Sequence, residues 1–149
     1  MFRGVNTVTI DAKGRVALPP KYRADLQKLK VVVTIDTEDQ CLLLYPLNEW
    51  LLIEEKVESL PSFNEVTRRI KRLLIGHAHE LDIDSQGRVL LPKTLRKYAK
   101  LNKKTVFVGQ GKKFEIWSEA VWQNSCEDWL NSGAIVTDQL PEELKGLVV

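Results

Sequence analysis

The sequence predicts an α+β fold in which two copies of one unit, each a strand–turn–strand–helix followed by a second strand–turn–strand–helix, interleave their hairpins and close a small pseudo-symmetric β-barrel with flanking helices. Three observations predict it. Residues 10–19, IDAKGRVALP, recur as residues 83–92, IDSQGRVLLP, with seven of ten positions identical at an offset of 73; such internal repetition marks two copies of one supersecondary unit. Apolar residues around both copies alternate with polar ones, the period of half-buried strands. Residues 47–74 instead carry their apolar residues at helical spacing.

The repeat extends past its best-matching ten residues. Arg23 matches Arg96, and Val33 and Ile35 match Val106 and Val108. After one residue is lost in a turn, Leu42, Leu44, Tyr45 and Trp50 match Phe114, Ile116, Trp117 and Trp122. In each copy the first two strands are Val8 and Ile10 then Val16 and Leu18, or Leu81 and Ile83 then Val89 and Leu91. Between them an Asp-x-x-Gly turn uses Asp11 or Asp84 to bond its own backbone and Gly14 or Gly87 to supply a positive φ. Pro19, Pro20 and Pro92 end these strands and open short helices over about residues 20–28 and 93–100. Val31 to Ile35 with Cys41 to Tyr45, and Thr105 to Val108 with Phe114 to Trp117, form a second hairpin in each copy.

Only the first copy is followed by a helical insert. Trp50, Ile53, Val57 and Leu60 line one helix, Pro61 and Ser62 form the N-cap region of the next, and Phe63, Val66, Ile70, Leu73 and Leu74 line that one. The second copy ends in a helix over about residues 119–131 and a tail with Gly133, Pro141 and Gly146. The organisation is therefore a first repeat at 5–52, a helical insert at 53–77, a second repeat at 78–121, and a C-terminal helix with an acidic tail at 122–149. Four short strands alone would bury too little apolar surface and leave open edges, so neither copy is expected to fold by itself.

Composition narrows the function classes. Of 149 residues, 44% are hydrophobic and 28% charged, which excludes a disordered chain, a coiled coil or a collagen-like repeat. No apolar run approaches the roughly 18 residues of a membrane span, and the N-terminus lacks the apolar core of a secretory signal. Cys41 and Cys126 match no metal or redox spacing, so a reduced cytosolic chain is expected. The net charge of +2 hides an asymmetry: residues 114–149 hold seven acids and one base, while residues 1–113 hold 21 bases and 13 acids. Such a distribution suits a polyanion partner for the body of the chain and an acidic tail.

At these residues the sequence resembles the MraZ family of bacterial transcriptional regulators. The resemblance rests on the doubled Asp-x-x-x-Arg motif, Asp11 to Arg15 and Asp84 to Arg88. It also rests on the start Met1-Phe2-Arg3-Gly4, on Cys41-Leu42-Leu43-Leu44-Tyr45-Pro46, and on Arg72-Leu73-Leu74-Ile75-Gly76-His77-Ala78. It implies a swapped-hairpin, double-psi-type barrel of the AbrB/SpoVT kind, built from the two halves of one chain. It further implies a cytoplasmic, nucleoid-associated protein that regulates the division and cell-wall gene cluster. Such a protein binds short direct repeats of double-stranded DNA in its own promoter as a homo-oligomeric ring of about 8–12 subunits.

DNA binding needs cations on a rigid platform, a few of them reaching base edges. Lys13 lies in the first turn, Arg15 follows its glycine, and Lys21 and Arg23 open the adjacent helix, so these four are the expected contact face. The second copy has Gln86 and Thr94 in place of Lys13 and Lys21 but keeps Arg88, which is assigned an auxiliary or structural role. Asp11 and Asp84 stand four residues before Arg15 and Arg88 and are read as turn-locking partners. The run Arg68 to Arg72 is read as a solvated face or subunit contact, and Trp50, Trp117 and Trp122 as core. An enzyme is disfavoured, because no phosphate loop, nucleophile elbow or paired nucleophile occurs. His77 and His79 with Glu80, Asp82 and Asp84 have strand spacing but no third ligand at diagnostic spacing, so no metal or cofactor is expected. The alternative function is an antitoxin-like interaction module that uses the acidic tail.

Overall fold

The computed structural model of the protein describes residues 1–133, 141–144 and 146. The acidic tail expected from Gly133 onward therefore lies largely outside the described residues. The chain divides into two compact units, Met1–Glu119 and Ala120–Val149. The first contains strands β1 (Val5–Thr9), β2 (Arg15–Ala17), β3 (Val31–Ile35), β4 (Leu42–Pro46), β5 (His79–Leu81), β6 (Arg88–Leu90), β7 (Lys104–Gly109) and β8 (Phe114–Ser118). Its helices are α1 (Pro20–Leu29), α2 (Leu47–Glu58), α3 (Glu65–Leu74) and α4 (Lys93–Tyr98). Helix α5 (Glu119–Asn131) and a 3-10 turn, Glu142–Leu144, supply the described structure of the second unit.

The architecture is α+β with antiparallel sheets. Six strands form one sheet in the order β1-β7-β8-β4-β3-β5, and β2 pairs with β6 in a two-stranded ribbon. The order reads the same from either end when the two copies are exchanged. The first strand of each copy pairs with the third strand of the other: Thr7 opposes Val106, and Glu80 opposes Val32. At the centre β4 pairs with β8, Leu43 opposite Glu115. Every strand in this arrangement depends on both copies.

Strands β3 and β4 are buried along their whole length, and alternation divides their side chains between two clusters. Val31, Val33, Ile35, Leu42 and Leu44 join the main core with Val16, Leu26, Val89, Leu91, Phe107, Phe114 and Ile116. Val32, Leu43 and Tyr45 point the other way and pack on Trp50 of α2. That double burial explains why β3 and β4 read as near-continuous apolar runs rather than alternating ones. The N-terminal Phe2 ring stacks on Phe114 at 4.4 Å and meets Tyr22 edge-on at 5.0 Å, which anchors the first residues to the core. Trp50 and Trp117 are buried; Trp122 is only half-buried and meets Trp129 edge-to-face within the second unit.

Two helix starts follow their prolines: Pro19 caps α1, whose first residue is Pro20, and Pro92 caps α4. The N-cap of α3 is not at Pro61 and Ser62. Asn64 takes the position, its side-chain oxygen accepting from the backbone of Val66 and Thr67, which is the preferred chemistry for an N-cap. As a result Phe63 falls outside the helix and is exposed.

The two Asp-x-x-Gly turns are held by contacts between copies. Leu18 donates its N–H to the Gly87 carbonyl at 2.9 Å, and Leu91 donates to the Gly14 carbonyl at 3.0 Å. Both glycines have positive φ, +93° at Gly14 and +74° at Gly87. The Arg96 side chain lies over Gly14 and the Arg23 side chain over Gly87. A Cβ at Gly87 would sit 1.9 Å from Arg23 Cδ, whereas one at Gly14 meets only the movable guanidinium end of Arg96, at 2.6 Å. Positive φ alone costs an L-residue about 1–2 kcal/mol. Gly14→Ala should therefore lose about that much in urea unfolding and Gly87→Ala more, with Arg23→Ala partly rescuing Gly87→Ala in a double-mutant cycle.

Candidate nucleic-acid interface

Ribbon β2–β6 takes one strand from each copy, with Arg15 opposite Leu90, Val16 opposite Val89 and Ala17 opposite Arg88. Val16 and Val89 are buried at 0% and 1% exposure and root the ribbon in the core. Side chains alternate along a strand, so Arg15, Ala17, Arg88 and Leu90 share the opposite, outward face. Two guanidiniums from different copies thus lie diagonally across one short ribbon.

Each arginine is oriented by its own turn. Asp11 Oδ1 accepts from the N–H groups of Lys13 and Arg15, both at 2.9 Å, and Oδ2 accepts from Arg15 Nε at 2.6 Å. Asp84 repeats the pattern with Gln86 N, Arg88 N and Arg88 Nε, all at 2.9 Å. A weaker contact joins the copies, Arg88 Nη1 to Asp11 Oδ2 at 4.0 Å. The carboxylates grip the arginines through Nε. The Nη1–Nη2 edge of Arg15 then has no protein partner among the described residues. That edge is the one that forms paired hydrogen bonds with phosphate or with guanine O6 and N7.

The Arg15 N–H, more than any other group, holds the Asp11 carboxyl down at about 2; desolvation opposes it, and the Arg15 side chain and the Lys13 N–H reinforce it. Asp84 is lowered in the same way, first by the N–H of Arg88. Both acids therefore remain charged across the physiological range, and the two ion pairs stay intact.

The remaining expected contacts separate by role. Lys13 is exposed in the first turn. Lys21 is exposed at the start of α1 with its Nζ 5.5 Å from the Tyr22 ring. Arg23 is half-buried, donates from Nη2 to the Leu18 carbonyl at 2.9 Å and covers Gly87. Arg96, its counterpart in the repeat, donates from Nε to the Leu91 carbonyl at 3.0 Å and covers Gly14. The Arg23–Arg96 match in the sequence was the available signal for this reciprocal clamp.

Local partners occupy much of the Arg68 to Arg72 run. Arg68 donates to the Ser62 carbonyl, Arg69 pairs with Glu65 at 2.7 Å, and Lys71 reaches Ser62 Oγ. His77 and His79 each set Nδ1 against a backbone carbonyl, of Leu73 and His77 respectively, at 2.9 Å. A cluster the sequence spacing did not reveal is Asp36, Cys41 and Glu115, whose donor atoms all lie within 4.8 Å of one another. There the Cys41 thiol donates to Asp36 Oδ2 at 3.5 Å and Trp117 Nε1 donates to Glu115 Oε1 at 3.0 Å. Burial raises both the Cys41 thiol and the Glu115 carboxyl.

An α+β scaffold of two tandem copies, presenting a ribbon with one outward arginine from each, is the class these features define. The chain belongs to the MraZ family: the family model described as "MraZ protein, putative antitoxin-like" matches residues 1–73 and again residues 74–133. It is 55% identical over 148 residues to a protein of Legionella pneumophila (strain Corby) named "Transcriptional regulator MraZ", covering 97% of each chain. Proteins of the same name from Coxiella burnetii (strain Dugway 5J108-111) and Marinomonas sp. (strain MWYL1) are 49% identical over 150 residues and 51% identical over 138 residues. These matches cover 99% and 91% of each chain, respectively.

The lowered Asp11 carboxyl sets a pH dependence. A carboxyl held below its unfolded value stabilises the fold above that unfolded value, about 3.8, and loses the contribution as pH falls toward about 2. In urea unfolding, the gap between wild type and Asp11→Asn should be full at pH 6 and close as the pH approaches 2.

Proposed function

We propose that this protein is a sequence-specific DNA-binding transcriptional regulator, not an enzyme, and that the β2–β6 ribbon is its contact face. The observation that carries the proposal is the pair Arg15 and Arg88, outward on one ribbon and gripped through Nε. A two-stranded ribbon is one of the elements the major groove admits. Lys13 and Lys21 add phosphate contacts at the rim on the side of the first copy. Arg23, the fourth expected contact, also donates to the Leu18 carbonyl and lies over Gly87. Arg88 is the weaker partner, since its turn carries Gln86 rather than a cation. The names of the Legionella and Coxiella relatives support the regulatory role.

The proposal extends to the assembly. The exchanged strand pairing supports a swapped-hairpin, double-psi-type barrel of the AbrB/SpoVT kind, with repeats at 5–52 and 78–121, an insert at 53–77 and a C-terminal segment at 122–149. About four phosphate contacts per copy give weak binding that salt readily abolishes. A homo-oligomeric ring of about 8–12 subunits on short direct repeats raises affinity through effective concentration. The target is the promoter of the protein's own gene within the division and cell-wall cluster, in the cytoplasm at the nucleoid. No described helix is long and apolar enough to cross a membrane.

The test is a gel shift with duplex DNA from upstream of the gene. Wild type shifts it and releases it as salt rises. Arg15→Ala weakens binding by about tenfold or more, the range for loss of a paired arginine contact, and Arg88→Ala by less. Arg15→Ala that keeps wild-type affinity while melting as a folded protein would remove the ribbon as the site. Lys13→Ala should lower the slope of log K against log salt by about 0.9, the value for one phosphate contact. Light scattering should give a mass many times that of one chain.

A further inference from the structure

We propose that Leu90 is a base-reading residue, packing on the 5-methyl group of a thymine in the major groove beside the base engaged by Arg15. The proposal rests on the DNA-binding role of the ribbon and assigns it a second kind of recognition. The outward face of the ribbon consists of four side chains, Arg15, Ala17, Arg88 and Leu90. Leu90 is 54% exposed, although its strand neighbours Val89 and Leu91 are fully or almost fully buried. It stands directly opposite Arg15, where facing Cβ atoms of an antiparallel pair are about 4.5–5.5 Å apart. That separation is one to two base steps of about 3.4 Å. A guanidinium on a guanine edge therefore places the Leu90 methyls over a neighbouring base pair. Thymine is the base that offers an apolar group in the major groove, and apolar side chains recognise it there.

The two copies differ at this point. The repeat places Ala17 at the position equivalent to Leu90, so a backbone with internal twofold pairing carries a long apolar side chain on one strand only. One end of the ribbon presents Arg15 with Leu90, the other Arg88 with Ala17. The face therefore has a direction, and a bound duplex is read in one orientation.

The experiment replaces each thymine of the promoter duplex, one at a time, by deoxyuridine, which removes only the methyl group. Binding is followed by fluorescence anisotropy. Wild type should lose about fourfold in affinity at a specific thymine, the worth of one buried methyl. Leu90→Ala should bind the thymine and deoxyuridine duplexes equally, and Leu90→Met should restore the difference. Because Leu90 is exposed, Leu90→Ala should match wild type in urea unfolding. Wild-type binding with no deoxyuridine penalty at any position overturns the Leu90 assignment and leaves the DNA-binding role standing. A penalty that persists unchanged in Leu90→Ala does the same. Failure of wild type to bind the duplex at low salt overturns both.

Discussion

Two backbone hydrogen bonds, Leu18 N to the Gly87 carbonyl and Leu91 N to the Gly14 carbonyl, tie each turn to the strand end of the other copy. They close the ends of the β2–β6 pair, in a fold where the first strand of each copy pairs with the third strand of the other. Each turn glycine has positive φ and is covered by an arginine from the opposite copy, so a side chain there would disturb both turns. The ribbon is three residues long on each strand and could not persist alone. Its rigidity is borrowed from Val16 and Val89 in the common core.

That rigidity matters because of what Asp11 and Asp84 do with it. A carboxylate beside an arginine usually cancels its charge toward an external anion. Here the contact falls on Nε, while the Asp Oδ1 atoms are taken up by backbone N–H groups of the turn. In Arg15 the acid fixes the direction of the guanidinium without covering its Nη1–Nη2 edge, whereas Arg88 Nη1 also lies 4.0 Å from Asp11 Oδ2. A long side chain on an exposed strand otherwise loses rotamer freedom on binding, and orientation in advance reduces that cost. The two aspartates are thus at once locks for the fold and aiming devices for the arginines.

The sequence made much of this legible because repetition carries information that composition does not. The offset of 73 predicted two equivalent turns, and the Asp and Gly spacing predicted their hydrogen bonds and their positive φ. The α+β class followed from switching between period 2 and helical spacing. Other features were not readable, for physical reasons. Asn64 as N-cap was masked by the Pro61–Ser62 pair, because both are helix-start signals and only side-chain geometry decides between them. The position of Arg23 over Gly87 was not readable, because sequence spacing cannot show that a side chain from one copy lies over a glycine of the other. The Asp36–Cys41–Glu115 cluster brings β8 against the β3–β4 hairpin, a contact at long sequence separation that no local spacing encodes. The alternation of Val89 and Leu91 already set Leu90 on the outer face, but its place opposite Arg15 of the other copy depends on a β2–β6 register that no local spacing encodes.

The pattern of identity between the copies now has a physical sense. Asp, Gly, Arg, Val, Leu and Pro are the same at equivalent places because each serves the pairing of one copy with the other: turn closure, positive φ, ion pair, ribbon root, core and helix start. A change at any of them is felt on both sides of the internal twofold. Lys13 against Gln86, Lys21 against Thr94, and Ala17 against Leu90 are differences at positions outside the core, where the scaffold imposes no such reciprocity. Buried positions differ as well, Tyr22 against Leu95 and Leu26 against Ala99, and there packing volume rather than identity has to be kept. Within the ten-residue repeat itself, Lys13 against Gln86 falls on the turn and Ala17 against Leu90 on the outward face of the ribbon.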